Sequence, residues 1–139
     1  MKVKKLLYRK GKNRVKDLII VIVILLLVFI PGYFVKNYLE SSGNKIVESL
    51  ETLEDSVYYG NFENIETIYS IKKDWETTEN VWNVLSNHQN TDEIQREFEK
   101  LVANYKMANI NATLINITEI KSMIEDTPRG EAFSLVNIF

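Results

Sequence analysis

Apolar and polar positions follow two different patterns along this chain. From Leu18 to Val35 no residue is charged, and the run reads Leu-Ile-Ile-Val-Ile-Val-Ile-Leu-Leu-Leu-Val-Phe-Ile-Pro-Gly-Tyr-Phe-Val. At about 1.5 Å per residue, a helix of this run spans roughly 27 Å, close to the hydrocarbon thickness of a bilayer. A core helix of a soluble protein rarely lacks a polar stripe over such a length. The run therefore reads as a transmembrane helix over 18–35. Pro31 and Gly32 are expected to loosen its last turn, Tyr33 and Tyr38 suit the headgroup level on that side, and Tyr8 suits the other.

Beyond the run, apolar residues recur at helical spacing. Ser41-Ser42-Gly43-Asn44 predicts a hinge, with Asn44 capping the helix that follows. That helix carries Ile46, Leu50, Leu53 and Val57 on one face, and Gly60 is placed to end it in a left-handed conformation. A second helix is expected from Phe62, capped by Asn61, to about Asn87, with Ile65, Ile68, Trp75, Trp82 and Leu85 on one face and Lys72 and Glu79 interrupting it. Asn90 and Glu93 form a capping-box pattern for a third helix, whose stripe is Ile94, Phe98, Leu101, Tyr105 and Ala108. A break at Ala108 to Asn111 precedes a fourth helix bearing Leu114, Ile117, Lys121 and Ile124, stopped by Pro128 and the Arg129-Gly130 turn. The Phe133–Phe139 tail is apolar enough to dock on the bundle.

The expected fold is all-α: a transmembrane helix, then an antiparallel bundle of about four helices sharing one core. No heptad persists long enough for a coiled-coil dimer. The segments are a basic head at 1–17, the membrane helix at 18–35, a juxtamembrane hinge at 36–44 and a bundle domain at 45–139.

Charge sets the orientation. Eight Lys or Arg precede the run against Asp17 alone, a side-chain charge of +7, and nine basic against eighteen acidic residues follow it, −9, which together make the chain's −2. The positive-inside rule puts the N-terminus in the cytoplasm and the bundle outside, as a single-pass cell-membrane protein. The apolar run exceeds the 7–15 residues of a cleaved signal peptide, which favours a retained anchor. The basic head suits anionic lipid as well as topology. It carries no fold for nucleic acid.

Trp75-Glu-Thr-Thr-Glu-Asn-Val-Trp82, then His88 and Asp92-Glu93-Ile94, with the ending Phe133-Ser134-Leu135 and Asn137-Ile138-Phe139, resembles domain-of-unknown-function family 4363. The resemblance implies a small single-span membrane protein of Gram-positive spore-forming bacteria. Val136 stands where the family more usually has an acidic residue, and Asp126-Thr127 precedes Pro128 where a His is expected. The family has no assigned activity, so the resemblance carries no functional residue across.

The chain has no cysteine and a single histidine, which excludes thiolate nucleophiles, disulfides and histidine-pair metal sites within one chain. No phosphate-cradling Gly loop, calcium loop, nucleophile elbow or zincin helix is present in the sequence. His88 beside Asp92 is a candidate pH-sensitive contact, set against a polar residue near a helix C-terminus. Trp75 and Trp82 are a candidate aromatic platform, set against bundle core. Glu48, Glu51, Glu54, Asp55, Glu97, Glu99, Glu125 and Asp126 read as solvated helix faces, and the sequons at Asn111 and Asn116 as chance. No cofactor or metal is implied. The expected function is a non-enzymatic interaction or accessory module for a membrane-protein partner or for self-association. A ligand-sensing four-helix ectodomain is the alternative, and a carboxylate-dependent envelope enzyme ranks below both.

Overall fold

The computed structural model describes the backbone of residues 2–62 and 64–136, and the side chains of residues 14–130 except those of 28 and 63. The expectations for Tyr8 and for the Phe133–Phe139 tail lie outside those side chains. Four helices are joined in sequence: α1 (Lys2–Tyr58), α2 (Ile65–Leu85), α3 (His88–Lys106) and α4 (Ile110–Val136). The fold is all-α. The chain divides into two compact units, residues 1–34 and 35–139.

In the first unit the described apolar side chains from Leu18 to Phe34 point outward all round the helix, with no buried face. Among the described residues one helix is long and apolar enough to cross a membrane. Its best 18-residue window has a mean hydropathy of 3.2 and none of it is buried. A helix apolar on every side and covered by nothing requires an apolar surrounding.

The second unit is a four-helix bundle, to which α1 contributes its later turns. Its core is built from one stripe per helix. α1 gives Leu39, Ile46, Leu50, Leu53 and Val57, and α2 gives Ile68, Ile71, Trp75 and Trp82. α3 gives Ile94, Phe98, Leu101 and Tyr105, and α4 gives Ile117, Ile120 and Ile124. Contacts close a ring: Trp82 of α2 meets Ser42 of α1, Trp75 stacks on Phe98 of α3, Asn104 of α3 meets Asn116 of α4, and Lys121 of α4 returns to Glu54 of α1. Each neighbouring pair runs antiparallel, as short connections dictate.

The expected hinge at 41–44 is helical instead. Ser, Gly and Asn are poor helix formers individually, but Gly43 sits on the buried stripe, four residues after Leu39 and three before Ile46. A Cβ built on Gly43 would lie 2.8 Å from Ile124 Cγ2 and 3.2 Å from Trp82 Cζ2, so only glycine lets α1, α2 and α4 meet there. Ser42 beside it donates its hydroxyl to the Tyr38 carbonyl (2.7 Å) and accepts the Trp82 indole N–H (2.9 Å). Packing of this stripe outweighs local propensity, and Asn44 caps nothing.

Other boundaries also shift. Gly60 takes the expected left-handed conformation (φ 73°), and the Gly60 and Asn61 amides donate to the Val57 and Ser56 carbonyls in a Schellman turn. α2 then starts at Ile65, with Asn64 rather than Asn61 at the N-cap position and no side-chain cap from it, while Phe62 lies outside the helix with its ring centroid 5.0 Å from that of Tyr105. α3 is capped by Asn87, whose Oδ1 accepts the Gln89 amide, so the Asn90–Glu93 pair falls inside the first turns. α4 passes through Pro128, buried within the helix, and through Arg129-Gly130. The neighbouring Thr127 hydroxyl donates to the Met123 carbonyl at 2.8 Å.

Ala108 does not join the α3 stripe. It is exposed and holds φ 51°, ending α3 in a second Schellman turn through Ala108 N–H to Tyr105 O and Asn109 N–H to Asn104 O. Asn109 then caps α4 by accepting the Ala112 amide on Oδ1. A left-handed alanine costs roughly 1–2 kcal/mol, and glycine costs about 0.5–1 kcal/mol in chain entropy. Ala108→Gly should therefore stabilise the bundle by about 0.5–1 kcal/mol, read as a higher urea midpoint of the full chain in detergent micelles.

Candidate functional site

Trp75 and Trp82, offered by the sequence as a platform, are both fully buried. Their rings meet edge to face at 5.5 Å, and Trp75 also stacks on Phe98 at 6.0 Å and 18°. Two turns of α2 bring both rings to the same side, where they fill the centre of the bundle and present no face to a ligand. His88 is exposed and is the first residue of α3, not a residue near a helix C-terminus. Asp92, one turn later, is exposed as well. The structure therefore sets His88 and Asp92 on the surface of α3 and the two tryptophans in the core.

Periodicity missed a polar ladder between α3 and α4. Glu97, 8 % exposed, departs from the expected solvated face. Its Oε2 accepts from Asn116 Nδ2 at 2.9 Å, its Oε1 accepts from Lys100 Nζ at 2.5 Å, and Asn116 Oδ1 accepts from Asn104 Nδ2 at 2.7 Å. Burial pushes the Glu97 carboxyl upward, but hydrogen bonds from Lys100 and Asn116 and the Lys100 charge outweigh it and leave the pKa below its ordinary value. The same hydrogen bond to Glu97 raises Lys100. Asn116 is buried here, so the second sequon is not a surface acceptor. On the α1–α4 side, the hydrogen bond from Lys121 Nζ to Glu54 (2.8 Å) raises the lysine, with Glu51 at 3.5 Å adding to it. A shallow cleft between α3 and α4 is lined by Glu93 and Asp126, which pair with Arg96 (3.8 Å) and Arg129 (3.1 Å).

One surface that departs from a solvated bundle is the end formed by the α1–α2 and α3–α4 turns, apart from the exposed Val84 of α2 and Ile115 of α4. Tyr58 and Tyr59 are 71 % and 84 % exposed and Met107 is 69 % exposed, although large apolar groups of this kind normally sit inside. Tyr69 and Ile110 flank them, also exposed. The two tyrosines meet edge to face at 5.5 Å, and Lys106 Nζ stands 5.3 Å over the Tyr69 ring. Exposed Asn61, Asn64, Asn109 and Asn111 surround them. Phe62 against Tyr105, and the Tyr105 hydroxyl at the Asn64 backbone, tie the two turns into one surface. Rigid tyrosines beside adaptable amides are the composition of protein-binding loops. Helical periodicity does not reveal this surface, because Tyr58 and Met107 are forty-nine residues apart and their turns meet only in the fold.

A family profile described as domain of unknown function DUF4363 matches residues 33–138. That span takes in the whole bundle and begins at the end of the apolar run. No curated protein and no solved structure matches the chain.

Asn116→Ala removes the amide between Asn104 and Glu97. It should cost about 1–3 kcal/mol by leaving buried polar groups unpaired. With a depressed folded pKa, Glu97 contributes stability that is present above its ordinary value of 4.5 and lost as pH falls through the folded value. Urea titrations in acid should show a smaller loss for Asn116→Ala than for the wild type, because the variant's Glu97 keeps less of that depression.

Proposed function

The chain belongs to the DUF4363 family, and from that premise we propose that it is a membrane-anchored extracytoplasmic interaction module without catalytic activity. The apolar helix holds it in the membrane. The +7 head stays in the cytoplasm beside anionic lipid, and the −9 bundle stands outside, as the charge asymmetry favours. The bundle serves as a docking body for another membrane protein or for a second copy of itself.

The observation that carries this reading is the tyrosine and amide surface at the paired turns. Tyr58, Tyr59 and Met107 are exposed together at two turns, each fixed by a Schellman motif, with Tyr69 of α2 and Ile110 of α4 exposed beside them. Aromatic and methionine side chains are enriched at protein interfaces, and rigid presentation lowers the entropic cost of docking.

The test is site-specific photocrosslinking in native membranes, with the photoreactive residue at Tyr59 and, as a control, at Lys73 on the exposed side of α2. A discrete adduct from position 59 and none from position 73 is the expected outcome. Monomer alone from both positions removes the basis for an interaction role at this surface.

A further inference from the structure

The seam between α2 and α3 holds a group of polar atoms that the interaction reading leaves unused. Two fixed contacts set its register. Asn83 of α2 touches the Thr91 hydroxyl of α3, and Trp75 of α2 stacks on Phe98 of α3. Between these contacts, one turn from each on the same face, α2 carries Glu79 and α3 carries Gln95. Both are half-buried. Gln95 Oε1 is fully buried with no hydrogen-bond donor, and Trp75 Nε1, one turn before Glu79, is buried with no acceptor.

We infer that Glu79 is a proton-binding site in this seam: its neutral carboxyl donates its O–H to Gln95 Oε1, and its ionised form repels Asp92 and leaves that oxygen without a donor. The surrounding charge acts in the same direction. Burial, then Asp92 of α3, then Glu76 of its own helix all raise the Glu79 pKa. The nearby cations are engaged elsewhere, Lys72 with Glu76 at 3.5 Å and Arg96 with Glu93 at 3.8 Å. His88 stands one turn before Asp92 on α3. From α1, the other helix packed on α2, no charge acts on Glu79 among the described residues.

Because the folded pKa lies above the unfolded one, the contribution of Glu79 to stability is complete below its ordinary value of 4.5 and is lost as pH rises through the folded value. Glu97 works in the opposite direction and below 4.5. Mild acid thus tightens the α2–α3 seam and neutral pH loosens it.

The test is thermal unfolding of the full chain in micelles from neutral pH down to the ordinary carboxyl value of 4.5, the side on which a raised carboxyl pKa acts. His88→Asn is the background, so that the histidine does not contribute. The midpoint should rise as pH falls. Glu79→Gln, which supplies a permanent amide donor, should be the more stable protein at the neutral end and lose the pH dependence. Asp92→Asn, which removes the repelling charge and keeps the carboxyl, should shrink the dependence. A midpoint that is flat or falls in acid overturns the inference, as does an unchanged slope in either variant.

Discussion

The bundle depends on a close approach of three helices at Ser42 and Gly43. There the bare Cα of Gly43 admits the Trp82 ring and the Ile124 side chain to within contact distance of α1. The Ser42 hydroxyl satisfies the indole N–H that this burial would otherwise strand. An unsatisfied buried donor costs about 1–3 kcal/mol, so the serine and glycine act as a pair. Trp82 placed in this way meets Trp75 edge to face, and Trp75 in turn stacks on Phe98. The core of the bundle is a chain of aromatic contacts that starts at one small residue of α1.

Around that core the two polar seams differ in character. Between α3 and α4, Glu97 is surrounded by donors from Lys100, Asn104 through Asn116, and Asn116 itself, so ionisation is favoured there despite burial. Between α2 and α3, burial and then the like charges of Asp92 and Glu76 oppose the ionisation of Glu79, and Gln95 Oε1 in the same seam has no donor. A satisfied network fixes register, whereas a partly satisfied one responds to conditions. The bundle therefore has one rigid seam and one seam that a proton can tighten. Its exposed tyrosines sit on rigid turns at the end where α1 meets α2 and α3 meets α4.

Much of this was legible in the sequence, and the rest failed for identifiable reasons. The stripes Ile46–Val57 and Ile94–Tyr105, the Trp75–Trp82 pair and the left-handed Gly60 follow from spacing and backbone sterics, which are local. Ser41–Asn44 predicts a hinge because local propensity is all that four small residues display. Only Leu39 and Gly43, continuing the spacing of the stripe backwards, signal otherwise. Asn90 with Glu93 has the capping-box spacing, but Asn87 is the true cap and places His88 at the start of α3. Glu97 and Asn116 look like ordinary surface residues until α3 and α4 bring them together. The tyrosine surface was hidden for the same reason.

Hydrogen–deuterium exchange of the full chain in a bilayer mimic measures most directly whether residues 39–46 belong to the packed helix. The account predicts that their amides are protected as strongly as those of Leu50–Val57, and far more strongly than those of the Asn61–Asn64 connection. Exchange at the rate of that connection would mean a hinge at Ser42 and Gly43, and would contradict the three-helix contact on which the rest of the bundle is built.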